Sequence, residues 1–79
     1  MSSLVKIDQA KLDTLRGDEV RKERDTKLAS SDWRVTKALE QGVSLDTVWA
    51  DYRQSLRDIP QQTGFPHDVV WPVDPEESK

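Results

Sequence analysis

The chain has 79 residues, with 12 Lys/Arg against 15 Asp/Glu, a net charge of −3, 34% hydrophobic and 34% charged residues, no cysteine and one histidine. That length allows one small domain at most, and the composition excludes disulfides, thiolate metal sites and the common two- and three-histidine metal sites. A core this small rarely supplies more than about 3–5 kcal/mol, so the missing stabilisation is expected from a partner, either a second copy (a homo-oligomer) or another protein.

Charge is unevenly spread. Residues 1–43 carry nine Lys/Arg against eight Asp/Glu, and residues 44–79 carry three against seven. Neither half has the excess of cations that nucleic-acid binding needs. No apolar run is long enough for a signal peptide or a membrane span, so no membrane partner is expected, and the chain is expected to be soluble and intracellular.

In chain order, residues 1–7 read as a loose arm. Asp8 is a candidate N-cap, with Ile7 stapling onto Leu12. Gly17 is expected to interrupt, since glycine in a helix costs about 1 kcal/mol relative to alanine. From Asp18 to about Ser30 the composition is strongly helical, with Asp18–Lys22 and Glu23–Lys27 at the supportive i,i+4 spacing. The apolar face of this helix is weak: Val20 and Leu28 align only through Arg24, whose stem can cover apolar surface while its head stays in water. Ser30-Ser31-Asp32 is expected to close the helix, with Trp33 anchoring a corner. Arg34 to Gln41 reads as a short helical turn with Val35, Ala38 and Leu39 inward, ended by Gly42 in the left-handed conformation.

Ser44 to Pro60 holds the clean period. Leu45, Val48, Trp49, Tyr52, Leu56 and Ile59 fall within an arc of about 100°, the stripe of an amphipathic helix. Ser44 is the expected N-cap, with Asp46 complementing the helix dipole in the first turn, and Pro60 stops the helix. All four prolines lie beyond Ile59, so Gly64 to Val73 reads as extended or turn-rich. The fold expected is all-α: a helical hairpin of two main helices with a structured corner, followed by an extended proline-rich C-terminal segment. The divisions are 1–17 as N-terminal arm, 18–60 as hairpin, and 61–79 as extended segment and polar tail.

Nothing here reads as an enzyme. His67 stands alone, no nucleophile, phosphate-loop or metalloprotease motif is present, and Asp51 and Asp58 sit on a face that should be solvated. No cofactor or metal is expected. The basic cluster Arg21-Lys22-Arg24-Lys27 is interleaved with Glu19, Glu23 and Asp25, which cancel its field. The informative residues are Trp33, Trp49, Tyr52, Phe65 and Trp71, which suit either a mini-core or an interface. Arg53 and Arg57 flank the stripe on one side, as an interface rim or as a clasp on the C-terminal loop. The residues expected to bind a partner are Trp33, Trp49, Tyr52, Arg53, Leu56, Phe65 and Trp71.

These runs taken together resemble a known family. Arg24-Asp25, Leu28-Ala29-Ser30-Ser31-Asp32-Trp33, the run Trp49-Ala50-Asp51-Tyr52-Arg53-Gln54-Ser55-Leu56-Arg57-Asp58-Ile59-Pro60, then Gly64-Phe65-Pro66 and Val70-Trp71-Pro72 resemble the phage tail assembly chaperones, over about residues 20–73. These are small proteins encoded near tail and tail-fibre genes of tailed bacteriophages. Residues 1–19 have no counterpart in the resemblance, and Arg34 to Gln41 is more helical than the family's connection. The resemblance implies a non-enzymatic assembly role in the host cytoplasm, with a tail or tail-fibre protein as client. The alternative is a permanent structural component of the tail, baseplate or fibre complex in the virion. A small helix–turn–helix DNA-binding regulator is a third class, which the acidic second half disfavours.

Overall fold

A computed structural model of the protein describes residues 8–77. Its first helix, α1, runs unbroken over Gln9–Gln41, a rod of about 50 Å at the usual rise per residue. Asp8 caps it as expected, its carboxylate accepting from the Ala10 N–H at 3.0 Å. Gly42, with φ 68°, ends it: the Gly42 N–H donates to the Leu39 carbonyl and the Val43 N–H to the Ala38 carbonyl, a Schellman closure that needs the left-handed residue. Ile7, expected to staple this end, lies outside the described residues.

Two expected breaks in α1 are absent. Gly17 stays helical and is buried, because the Phe65 ring lies against it: a Cβ built at Gly17 would sit 3.4 Å from Phe65 Cζ. The corner at Ser30–Trp33 does not form either. Ser30 Oγ donates to the Thr26 carbonyl, and Ser31 Oγ to the Leu28 carbonyl at 3.0 Å. Serines bonded back to the preceding turn are tolerated within a helix, so the chain turns only at Gly42–Asp46. The expected i,i+4 ion pairs are not the ones formed; Asp18 pairs with Arg21, and Arg16 pairs with Glu19.

The second helix, α2, spans Thr47–Arg57. Its N-cap is Asp46 rather than Ser44, the carboxylate accepting from the Val48 N–H at 3.2 Å. Asp46 therefore satisfies an orphan donor at the end of the helix as well as complementing its dipole. A short 3-10 turn, Ile59–Gln61, follows with Pro60 near its start. The hairpin is thus all-α, with α2 lying antiparallel on the middle of α1, and the molecule is elongated at 63 × 21 × 20 Å.

The core among the described residues is Val20 from α1 with Trp49, Tyr52, Leu56 and Ile59 from the stripe, and Leu28, Leu45, Phe65, Val69 and Trp71 pack against it. Leu56 and Ile59 are fully buried, each worth about 1.5–3 kcal/mol of apolar transfer. Trp49 and Tyr52 meet edge to face, centroids 5.7 Å apart at 87°. Val48, expected on the buried stripe, is 55% exposed, and Leu39, expected inward, is exposed as well. α1 supplies only a narrow apolar strip, so the outer edges of both patterns have nothing to pack on. Arg24 closes part of that strip, its side chain mostly buried.

After the 3-10 turn the chain folds back along α1. Residues 63–68 form turns, with a cis peptide between Phe65 and Pro66, and residues 69–74 have no regular structure. The Gln62 side-chain amide holds Val70 from both sides, accepting from its N–H at 2.9 Å and donating to its carbonyl at 2.8 Å. Four anchors then lie along α1. His67 meets Asp13, Phe65 lies 5.1 Å from the Arg21 guanidinium, Trp71 lies 5.5 Å from the Lys27 ammonium, and Glu76 pairs with Arg34. Each cation–aromatic contact contributes about 0.5–2 kcal/mol.

Candidate functional site

The C-terminal turns of α1 and the start of α2 form the walls of an open groove of about 870 Å³, lined by Trp33, Arg34, Lys37, Val43, Val48, Trp49 and Tyr52, with Val73 and Glu76 of the C-terminal segment along one side. Trp33 projects from α1 half exposed, at 53%. Trp49 and Tyr52 enter from α2 and are buried. Arg34 organises the groove. Its guanidinium lies over the Trp49 ring at 3.9 Å and over the Trp33 ring at 4.4 Å, and it pairs with Glu76. Lys37 adds a second cation, 6.0 Å from the Trp33 ring. With the exposed Val43, Val48 and Val73, this is an apolar strip crossed by fixed charge.

Electrostatics vary across the groove. Burial raises the Tyr52 phenol above its ordinary value of 10.0, and Asp74 and Glu77 raise it further. The hydroxyl is therefore neutral throughout the physiological range. Asp46 and Asp51 line the α2 end, so cations lie on the α1 side and carboxylates on the other.

The structure distributes the seven residues expected at a partner surface over four places. Trp33, Trp49 and Tyr52 meet in the groove. Leu56 is wholly interior, and Phe65 and Trp71 are half-buried against the core on the far stretch of α1. Arg53 holds the hairpin together. Its Nη1 donates to the Leu28 carbonyl at 2.9 Å and to Ser31 Oγ at 2.6 Å, and its Nη2 lies 2.9 Å from the Asp32 carboxylate. Only 14% of the Arg53 side chain is exposed, and Ser31 is 3% exposed. Of the two roles open to Arg53 in the sequence, rim or clasp, this geometry is a clasp, though it grips α1 rather than the C-terminal loop.

Arg34, Lys37 and Glu76 were not among the residues singled out from sequence. The adjacency of Trp33 and Arg34 was a usable signal, because guanidinium groups favour aromatic faces. The pairing with Glu76, by contrast, depends on the return path of the C-terminal segment. A second feature lies at the opposite end, where Leu12 and Leu15 are exposed beside His67. There the hydrogen bond from His67, supported by one from Gln9, holds the Asp13 carboxyl below its ordinary value of 3.8. Among the described residues no group of three or more histidines and carboxylates converges in a way that could hold a metal ion, and no helix is long and apolar enough to cross a membrane.

The family described as phage tail assembly chaperone protein matches residues 17–76. The matched stretch begins at the glycine beneath Phe65 and ends at the glutamate on Arg34, so it contains the hairpin, the returning segment and the groove. No match was found among curated proteins or among solved structures. With roughly three quarters of its length within that match, the chain belongs to the phage tail assembly chaperone family.

Proposed function

We propose that the chain is a non-enzymatic assembly chaperone that binds a phage tail or tail-fibre protein in the host cytoplasm, and that it does so through the groove of Trp33, Arg34, Val43, Val48 and Trp49. The observation that carries this reading is the half-exposed Trp33, set beside the exposed Val43 and Val48 on a hairpin that needs none of them for its own core. An exposed tryptophan with an adjacent arginine is the residue combination that most often dominates interface energetics. Contiguous exposed apolar surface of this kind marks interaction sites. Masking a client's apolar surface until it assembles requires no nucleophile, base or metal, only a complementary surface and a scaffold to hold it.

The partner-contact set is accordingly centred on Trp33 and Trp49. Tyr52 and Leu56 contribute mainly by shaping the support beneath the groove, Phe65 and Trp71 by packing the returning segment against the core, and Arg53 by holding α2 on α1. The test is co-expression with each tail and tail-fibre protein of the same phage, followed by size exclusion. A soluble complex and a gain in client solubility are expected with one of them; no co-elution with any would overturn the reading. Mass spectrometry of purified particles then separates a factor that leaves from a permanent tail, baseplate or fibre component. The first is absent, and the second is present at fixed stoichiometry.

A further inference from the structure

The groove is not empty along its whole length. One side is formed by the chain's own Pro72, Val73, Pro75 and Glu76, and the carboxylate of Glu76 sits on the arginine that lies over both tryptophans. Upstream, the segment is held firmly, by the two hydrogen bonds between Gln62 and Val70 and by the packing of Val69 and Trp71 against the core. Beyond Trp71 the character changes. Val73 is 66% exposed, and the turn at residues 74–77 is closed by its own bonds, Asp74 Oδ1 accepting from the Glu76 N–H and the Asp74 carbonyl from the Glu77 N–H. A turn closed by local bonds keeps its shape whether or not it is docked. Arg34, in contrast, is immobilised over two rings, which makes it a preorganised cation whose natural ligand is a carboxylate.

The geometry points to Pro72–Glu76 as a displaceable occupant of the groove, and so to a partner segment of the same chemistry: an extended stretch of polypeptide with an aliphatic or proline residue followed, at the Val73–Glu76 spacing, by a carboxylate that replaces Glu76 on Arg34. This rests on the reading of the groove as the partner-binding surface and names what the surface takes. Charge fixes the direction of entry. When the strap leaves, Asp74, Glu76 and Glu77 leave with it, and Arg34 and Lys37 face the vacated strip on the α1 side. Asp46 and Asp51 remain at the α2 end, where a second carboxylate would be repelled. The incoming acid therefore lies toward α1 and the apolar residue toward Val48 and Trp49. A strap that occupies its own site lowers apparent affinity by the fraction of chains in which it is undocked, which keeps Arg34 occupied until a better-matched segment arrives.

The experiment uses the full chain and two labelled synthetic peptides. One carries the sequence of residues 70–77, Val-Trp-Pro-Val-Asp-Pro-Glu-Glu, and the other has its three acids replaced by amides; binding is read by fluorescence anisotropy. Glu76→Gln is expected to bind the acidic peptide about 5-fold or more tighter than the wild type, because the competing strap is weakened. The amide peptide is expected to bind Glu76→Gln about 5-fold or more weaker than the acidic one, as loss of a charge-assisted pair requires. Arg34→Lys, which keeps the charge but loses the planar fork, is expected to shrink the acidic preference while the far-UV circular dichroism stays unchanged. Equal binding of the two peptides by Glu76→Gln, or no binding at millimolar peptide, overturns the strap. The peptide assay needs no client, so it stands apart from the co-expression test: a client complex with no peptide discrimination would sink the strap alone, and peptide discrimination without any client would sink the chaperone reading alone.

Discussion

Replacing Arg53 by alanine tests whether the hairpin is clasped as described. The guanidinium makes two hydrogen bonds into α1, to the Leu28 carbonyl and to Ser31 Oγ, and one ion pair with Asp32. Hydrogen bonds from a charged donor are worth about 1.5–3 kcal/mol where they are buried. The Leu28 carbonyl and the Ser31 hydroxyl still bond each other after truncation, so no orphaned group adds to the loss. Asp32 is 63% exposed, and a pair with so solvated a partner adds only about 0.2–1 kcal/mol. Both hydrogen bonds come from the one Nη1 and their acceptors stay bonded to each other without it, so they count as about one such bond; with the ion pair the destabilisation is about 2–4 kcal/mol, against a total that for a core this small is about 3–5 kcal/mol. Thermal unfolding followed by circular dichroism should show the midpoint falling by about 4–8 °C per kcal/mol. Asp32→Asn should cost about 1 kcal/mol or less, which separates the ion pair from the two hydrogen bonds. An Arg53→Ala protein within about 0.5 kcal/mol of wild type, the range of an ordinary surface substitution, would refute the clasp and return Arg53 to the list of partner contacts.

The remaining predictions concern the turn and the two titrating groups. Gly64→Ala should destabilise by about 2 kcal/mol or more in urea titration, as forced overpacking does, because a Cβ there would sit 2.2 Å from the Asp68 carbonyl oxygen. Asp13 has a depressed folded-state value, so the stability it contributes is present above its ordinary 3.8 and is lost as pH falls through the lower folded value. Asp13→Asn should flatten the acid limb of an unfolding curve measured against pH. Tyr52 is the opposite case. Its folded value is raised above 10.0, so its contribution is intact below pH 10.0 and is lost as pH rises through the folded value. Tyr52→Phe should remove that alkaline loss of stability.

The sequence made α2 legible because its stripe has one dominant period, and Trp49, Tyr52, Leu56 and Ile59 are buried as that period requires. Val48 at the edge of the same arc is exposed, because the width of a stripe is set by what it packs on, and α1 is narrow. The continuity of α1 was hidden by residues whose ordinary preferences point elsewhere. Ser30, Ser31 and Asp32 form a turn-like cluster, yet each serine bonds back to the preceding turn, and Ser31 and Asp32 also receive Arg53 from the other helix. Gly17 looked like an interruption and is instead the flat place on which Phe65 rests. In both cases local propensity was overridden by a contact with a residue far along the chain, which no window of neighbouring residues contains. The groove was half legible for the same reason. Trp33, Trp49 and Tyr52 announce themselves by type, while Arg34 acquires its place only when Glu76 returns to it.

The central claim is that the exposed tryptophan face carries partner recognition. Its most direct test is the affinity of the purified tail or tail-fibre client for wild-type and Trp33→Ala chains, measured by titration calorimetry beside thermal unfolding of each chain. Truncating a half-exposed tryptophan at a binding centre should weaken the complex by about 2 kcal/mol or more. The unfolding midpoint should fall only modestly, by the loss of the exposed cation–aromatic contacts with Arg34 and Lys37, because Trp33 lies outside the core. Unchanged affinity for the client in Trp33→Ala would contradict the account.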